Sequence, residues 1–153
     1  MFTKLLLPTD VSDCSAEAAR AARLIADRFG SRLILLHVLD EPAALDQMFR
    51  GDVPLEMLRS RMEQFAQESM DAFIAAHFSG FENFDTMLTA WIPYREIIKK
   101  AREVSAGLIV IGTHGRTGVE HVLFGSTAEK VVRLAPCPVL SVRLGGFRDC
   151  VLP

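Results

Sequence analysis

Glycine, serine and threonine follow an apolar run in one stretch of the chain, and their types and spacing suit phosphate binding. The stretch Leu108 to Thr127 reads LIVIGTHGRTGVEHVLFGST. Glycine lets a ligand approach the backbone closely. The first turn of a helix presents N–H groups without intrahelical partners, at the positive end of the helix dipole. The succession of a strand, a glycine loop and a helix N-terminus therefore predicts a phosphate cradle.

The two best-known phosphate loops are absent, since neither G-x-x-x-x-G-K followed by Ser or Thr nor G-x-G-x-x-G occurs in the chain. A tight strand-to-helix connection that uses glycine only for its turns is the alternative interpretation. Ser126 to Glu129 has the S-x-x-E pattern of a capping box and predicts Ser126 as the N-cap of a helix. The buried face of that helix is expected to carry Ala128, Val131, Val132 and Ala135.

Apolar runs and helical periodicity predict the elements that must position this cradle. The expected strands are Thr3 to Leu7, Arg32 to Val38, Asp85 to Ala90, Leu108 to Ile111, and Val139 to Val142. The expected helices are Ala16 to Phe29, Leu55 to Phe78, one that opens at Pro93 and one that opens at Ser126. Pro8 is expected to end the first strand, and an irregular loop is expected over Leu39 to Pro54.

Strands that alternate with helices favour the α/β class, with a five-stranded parallel sheet and helices on both faces. We expect a single domain over residues 1–144 and a C-terminal tail over residues 145–153. The chain of 153 residues is long enough for one such domain with a sizeable core.

Composition and charge exclude several function classes. The net charge of −2 gives no electrostatic case for binding nucleic acid or an anionic membrane surface. No apolar run approaches the roughly 20 residues of a membrane span. The cysteines Cys14, Cys137 and Cys150 are widely spaced and indicate neither a disulfide framework nor a zinc site. We therefore expect a cytoplasmic protein with reduced thiols.

The glycine stretch resembles a known nucleotide motif. Gly112-x2-Gly115-x9-Gly125-Ser126 is similar to the motif of the universal stress protein family in its ATP-binding branch, G-2x-G-9x-G followed by Ser or Thr, and matches it at all four fixed positions. The segment Ala135 to Val142, APCPVLSV, is also typical of that family. The resemblance extends over nearly the whole chain and implies a Rossmann-like sheet of strand order 3-2-1-4-5.

The resemblance also implies a set of residues around an ATP molecule, with Mg²⁺ or Mn²⁺ as the accompanying metal and no assigned metal ligand. In a sheet of this order, ligands bind beyond the carboxyl ends of the strands where the order reverses, between the first and fourth strands. The phosphates are expected at backbone N–H groups of the loop and the helix start, and the nucleoside at the ends of the first two strands. The implied nucleotide-binding residues are Pro8, Thr9, Asp10, Val38, Ile111, Gly112, His114, Gly115, Arg116, Gly125, Ser126 and Thr127.

Several of these residues also have an ordinary structural interpretation. Asp10 either binds a ribose hydroxyl or a metal, or it caps the helix that follows. Val38 either packs on the adenine or belongs to the core. Arg116 either neutralises phosphate charge or is solvated, and His114 is interpreted as a hydrogen-bonding residue of the loop. The remaining histidines have no partner at metal-ligand spacing and are interpreted as structural or exposed.

One position departs from the family pattern. Universal stress proteins usually carry glycine two residues before the proline that opens the third helix, and this chain has Trp91-Ile92-Pro93 at that point. The indole either stacks on a ligand, obstructs the crevice, or packs under the loop from Leu39 to Pro54.

The leading hypothesis is an ATP-binding universal stress protein that acts as a nucleotide-responsive module. It would hydrolyse ATP slowly at most, since no catalytic signature is visible. Its exposed edge strand, Val139 to Val142, is expected to form a homodimer. A second hypothesis is a nucleotide-free stress protein that works through protein contacts, and a third is an enzyme that transforms a nucleotide.

Overall fold

The computed structural model of the chain describes residues 2–40, 55–113 and 125–144, in which strands and helices alternate as expected. The elements are β1 Lys4–Thr9, α1 Asp13–Phe29, β2 Arg32–Asp40, α2 Leu55–His77, β3 Phe84–Trp91, α3 Pro93–Glu103, β4 Leu108–Gly112, α4 Ser126–Leu134 and β5 Val139–Val142. The loop expected over Leu39 to Pro54 was placed too early, because Leu39 and Asp40 belong to β2. The rest of that loop and the tail expected after residue 144 lie outside the described residues. None of the described helices is long and apolar enough to cross a membrane.

All five strands are parallel, and their order across the sheet is β3-β2-β1-β4-β5. The predicted fold class and strand order are confirmed. The chain first runs outward from β1 to β3 and then returns to add β4 and β5 on the other side of β1. The order therefore reverses between β1 and β4, and β5 forms one edge of the sheet.

Each face of the sheet carries its own hydrophobic core, because helices cover both faces. The first core lies between the sheet and helices α1 and α2, and the second core lies between the sheet and helices α3 and α4. Alternate strand residues enter different cores: Leu5 and Leu7 belong to the first, and Leu6 belongs to the second. This double burial explains why the strand sequences are continuously apolar.

Local capping sets the bounds of α1. The helix begins at Asp13, earlier than the predicted Ala16, because the extended Ser12 acts as its N-cap and accepts a hydrogen bond from the Ser15 N–H at 3.3 Å. It ends at Gly30, whose φ of 64° is a left-handed conformation that glycine adopts without a Cβ clash.

Helix α4 buries a narrower face than its sequence predicts. Ala128 and Val131 are almost fully buried in the second core, whereas Val132 is 46% exposed. Ala135 follows the end of the helix as its C-cap and packs partly against the same core. Including Val132 was wrong, because the face of α4 that packs on the sheet is centred on Ala128, Val131 and Ala135 and leaves Val132 at its margin.

Candidate functional site

The sheet opens at the carboxyl ends of β1 and β4. Pairing of β1 with β2 continues to Thr9 and His37, whereas pairing of β1 with β4 is confined to Leu5 with Leu108 and Leu6 with Ile109. The two strands are neighbours without being paired beyond that point. A crevice at this place coincides with the reversal of strand order, where open α/β sheets bind ligands.

Pro8 gives a physical reason for the opening. The Lys4 carbonyl accepts a hydrogen bond from Gly107 on the β4 side, whereas the Thr3 carbonyl accepts one from Arg32 on the β2 side. Backbone groups alternate sides along a strand, so position 8, like position 4, faces β4. Proline has no N–H to donate there.

The prediction that Pro8 ends the first strand was wrong, because its missing donor interrupts only one of the two ladders. Pro8 stays paired with Leu36 of β2, and β1 continues to Thr9.

Three of the predicted nucleotide-binding residues share one face of this carboxyl edge. Ile111 belongs to the second core, and the half-buried Val38 packs against that core. Pro8 lies two residues after Leu6, which belongs to the same core. Side chains two residues apart along a strand point to the same face. The candidate base-binding surface therefore lies on the α3 and α4 side of the sheet.

Asp10 takes part in a turn that joins β1 to α1. Its Oδ1 atom accepts hydrogen bonds from the Ser12 N–H at 3.1 Å and from the Ser15 hydroxyl at 2.7 Å. The Ser15 Oγ in turn accepts the Asp10 N–H at 3.1 Å. Asp10 is not the N-cap of α1, which is Ser12, so the helix-capping interpretation was wrong. The turn instead holds the half-buried carboxylate beside the crevice.

The same turn holds a strained backbone. Val11 has a φ of 58°, which is unusual for a β-branched residue. Its N–H donates to the Thr9 hydroxyl at 3.0 Å, and this hydrogen bond helps to hold the conformation. Backbone strain of this kind is concentrated at functional sites. Sequence patterns did not reveal it, since valine gives no local signal of a positive φ.

His37 supports the end of β1 from the neighbouring strand. The side chain is 6% exposed, and its Nδ1 lies 2.7 Å from the Thr9 carbonyl oxygen. A carbonyl only accepts, so the proton of this hydrogen bond belongs to Nδ1. The interpretation of His37 as structural is confirmed, and its contact orients the residue that precedes Asp10.

The two ends of the glycine stretch meet beside β4. The Gly125 N–H donates to the Thr113 carbonyl oxygen at 2.7 Å, and the Thr113 N–H donates to Val142 of β5 at 2.9 Å. Thr113 itself is buried. This contact brings the start of α4 to the carboxyl end of β4, as the phosphate cradle requires. Three predicted site residues, His114, Gly115 and Arg116, lie outside the described residues.

The predicted capping box is wrong. Gly125, not Ser126, is the N-cap of α4: it is extended, with φ −65° and ψ 152°, and its carbonyl accepts the first helical hydrogen bond from Glu129. Ser126 is therefore the first helical residue, and its side chain is exposed. As a glycine, the N-cap residue itself supplies no capping side chain. The N–H groups of its first turn have no intrahelical partners and face the region where an anion would bind.

Gly112 is needed for close packing of α1 on β4. A Cβ atom at this position would lie 3.0 Å from the Cys14 Sγ and 3.1 Å from both the carbonyl carbon and oxygen of Cys14. The Cys14 thiol also donates to the Val142 carbonyl at 3.4 Å. The first glycine of the motif thus has a structural role that its spacing did not reveal.

An aromatic contact links α4 to the start of α3. The Lys130 ammonium lies 4.8 Å from the centre of the Tyr94 ring, within cation–π distance. Arg95 donates to the Tyr94 hydroxyl at 3.0 Å, and this hydrogen bond is the main reason that the pKa of Tyr94 is lowered. The contact stabilises the helix whose N-terminus borders the crevice.

A metal in this crevice would depend on the nucleotide. Within residues 2–40, 55–113 and 125–144, no three His, Cys, Asp or Glu side chains come together to hold an ion. Mg²⁺ commonly uses one or two carboxylates together with substrate phosphates. The chain fits that arrangement, with Asp10 as a carboxylate at the end of β1 beside the crevice.

The parallel sheet and the gap at the order reversal define an α/β protein with a crevice at the carboxyl edge of its sheet. Residues 1–143 match the universal stress protein family, and the chain belongs to that family. It is similar to the universal stress protein MJ0531 of Methanocaldococcus jannaschii, with 33% identity over 94% of this chain and 83% of the relative. A universal stress protein of Thermus aquaticus is 35% identical over 94% of this chain and its own full length.

Solved structures agree with the fold. Protein MJ0577 of Methanocaldococcus jannaschii matches with a TM-score of 0.80 and 27% identity, over 94% of this chain and 96% of that protein. Two further universal stress proteins, one of them from Archaeoglobus fulgidus, were solved with cAMP and with dAMP. They are 23% and 22% identical with TM-scores of 0.64 each, a likeness that concerns the fold alone.

Proposed function

We propose that this universal stress protein binds ATP, with Mg²⁺ or Mn²⁺, in the crevice between β1 and β4 and acts as a nucleotide-responsive module. The observation that carries the proposal is the unpaired carboxyl end of β1 and β4 next to a helix start whose N-cap residue is a glycine. An anion there would meet backbone N–H donors and the positive end of the helix dipole.

Five of the predicted residues have a definite role in this proposal. The N–H groups of Ser126 and Thr127 hold phosphate oxygens, together with the loop that contains Gly115. Asp10 binds a ribose hydroxyl or the metal through a carboxylate that the turn already orients. Val38 packs on the base, since it is half-buried at the end of β2.

The comparisons support an adenine nucleotide in general terms, because other proteins with this fold were solved with cAMP and dAMP. ATP itself is proposed on the complete motif Gly112-x2-Gly115-x9-Gly125-Ser126. Hydrolysis is expected to be slow, below about 1 s⁻¹, the low end of typical enzymes. A cytoplasmic location belongs to the same proposal.

Calorimetric titration with ATP and Mg²⁺ tests the proposal directly. We expect saturable binding of ATP, much weaker binding of GTP, and loss of ATP binding in Gly115→Val. Gly118→Val is the matched control, because it places the same side chain in the same loop at a position outside the motif. Equal loss in both variants, or wild-type protein that binds GTP as well as ATP, contradicts the proposal.

The edge strand β5 supports the proposed homodimer. The carbonyls of Pro138 and Val142 accept hydrogen bonds from β4 and the residue after it. The backbone groups of Val139 and Ser141 therefore point away from β4, since these groups alternate sides along a strand. Exposed side chains around this edge include Val132, Leu134, Leu140 and Leu144.

Proline at position 141 removes an outward donor without removing a donor to β4. We expect Ser141→Pro to be monomeric in sedimentation measurements, whereas Ser141→Ala stays dimeric. A dimeric Ser141→Pro variant excludes pairing through this edge.

A second candidate function rests on Trp91, which is 47% exposed at the end of β3. If its indole closes the crevice, the protein acts through protein contacts without a nucleotide. The wild-type chain would then fail to bind ATP, and Trp91→Gly would bind it.

A further inference from the structure

Trp91 is held in a backbone conformation that favours glycine. It is the last residue of β3, and its φ is 133°. Side chains rarely adopt such values, which persist where the surrounding structure enforces them and are concentrated at functional sites. The chain nevertheless places its largest side chain here and leaves 47% of it exposed. Packing in the core therefore does not explain why a tryptophan occupies this position.

Thr89, two residues before Trp91, has a polar atom without a partner. Its Oγ1 atom is buried and forms no hydrogen bond in the described part of the chain. A buried hydroxyl without a partner is destabilising. A ligand that brings a hydrogen-bonding group to this side chain would remove the penalty.

Both residues lie beside the surface already assigned to the base. Thr89 pairs with Val38 across β2 and β3, and Trp91 pairs with Asp40. Neighbouring strands are about 4.7–4.9 Å apart, so a flat ring that covers Val38 also reaches Thr89. Met87 of β3 packs on the second core, and Thr89 follows it on the same face.

We propose that Trp91 and Thr89 form a base subsite at the carboxyl end of β3, in which the indole stacks on the purine and the Thr89 hydroxyl bonds to its edge. This inference rests on the proposed nucleotide function. It adds β3 to a site that is otherwise proposed to include β1, β2, β4 and the start of α4. An aromatic face suits any purine, and the hydroxyl adds selectivity for the base edge.

Fluorescence reads out this subsite without a label, because Trp91 is the only tryptophan in the chain. We expect the emission of Trp91 to change saturably with ATP and with adenosine, and not with inorganic tripolyphosphate. The midpoint of the ATP titration should agree with the dissociation constant from calorimetry.

Variants separate the indole from the strained backbone. Trp91→Phe keeps an aromatic face, and Trp91→Leu removes it while keeping a Cβ at the same φ. We expect Trp91→Leu to bind ATP about 5- to 150-fold more weakly, the range for loss of one base-stacking contact, and Trp91→Phe to be close to wild type.

A threonine pair tests the hydroxyl. Thr89→Val is nearly isosteric and should weaken ATP binding about 2- to 10-fold. Thr86→Val is the matched control, because Thr86 lies on the same strand but is exposed at a position of opposite parity, on the other face. An equal effect of the two changes overturns the role of Thr89.

The outcomes distinguish this inference from the function on which it rests. Wild-type protein that binds no ATP refutes the proposed function itself. Wild-type protein that binds ATP with no change in Trp91 emission, and with an unchanged affinity in Trp91→Leu, overturns the base subsite alone. Tighter ATP binding by Trp91→Leu also overturns it, because the indole would then be an obstruction.

Discussion

Replacing Gly112 by alanine tests the close packing that sets the base of the crevice. The added Cβ would lie 3.0 Å from the Cys14 Sγ and 3.1 Å from the Cys14 carbonyl carbon and oxygen. Favourable carbon contacts lie at about 3.5–4.0 Å, so α1 and β4 must separate by roughly 0.5 Å. The start of α1 cannot easily shift away from β4, because the Ser12 cap and the hydrogen bond from the Cys14 thiol to Val142 hold it in place.

The expected cost follows from this overlap. An extra methyl group forced into a packed core destabilises by about 1–3 kcal/mol. For a chain of this size, each kcal/mol lowers the melting temperature by about 2–4 °C. We therefore expect Gly112→Ala to melt roughly 2–12 °C below wild type, measured without nucleotide by circular dichroism.

A double variant identifies which atoms of Cys14 collide with the added Cβ at position 112. Cys14→Ala removes the sulfur but leaves the Cys14 carbonyl group in place. Adding Gly112→Ala to Cys14→Ala should therefore still lower the melting temperature, although by less than it does in the wild-type background. Equal melting of Gly112→Ala and wild type would refute the packing role of this glycine. Equal melting of the double variant and Cys14→Ala would show that only the sulfur resists.

Four further changes have definite expected outcomes. In urea unfolding, Ser12→Ala should destabilise the protein by about 1 kcal/mol through loss of the N-cap of α1, whereas Ser126→Ala should be nearly neutral. A larger loss of stability in Ser126→Ala than in Ser12→Ala would show that Ser126 caps α4 after all. Trp91→Gly should melt at or above the wild-type temperature without nucleotide, because it relieves a strain of about 1–3 kcal/mol; a large drop would show that the indole is a packing residue. Asp85→Asn should lower the melting temperature slightly at pH 7, because the hydrogen bond from Arg32 lowers the pKa of Asp85. The ion pair stabilises the folded state only while the Asp85 carboxyl is ionised, so the difference in melting temperature should vanish as the pH falls through the folded-state pKa of Asp85. A difference that persists at lower pH would exclude the ion pair as its cause.

The fold was predictable because its determinants are local. Continuous apolar runs such as Leu33 to Leu36 require burial on both faces, and amphipathic segments between them supply the covering helices. This combination leaves a parallel α/β sheet as the consistent solution. The strand order came from the family resemblance, because periodicity does not encode which strands are neighbours.

The site was predictable only where the motif itself names the residues. Gly125 and Ser126 were identified by spacing, but their order at the helix start was not, since both are good N-cap types. The effect of Pro8 depends on which neighbouring strand its backbone faces. The strain at Val11 and the contact of Gly112 with Cys14 depend on tertiary packing, so no local pattern indicated them.

Melting of the wild-type protein with and without saturating ATP and Mg²⁺, with GTP as the control, tests nucleotide binding in the crevice most directly. Ligand at about 100 times its dissociation constant stabilises the folded state by roughly 2.7 kcal/mol. For a chain of 153 residues this predicts a rise of about 5–11 °C with ATP and little with GTP. No rise with ATP, together with no nucleotide released when the purified protein is denatured, would contradict an ATP site in this crevice.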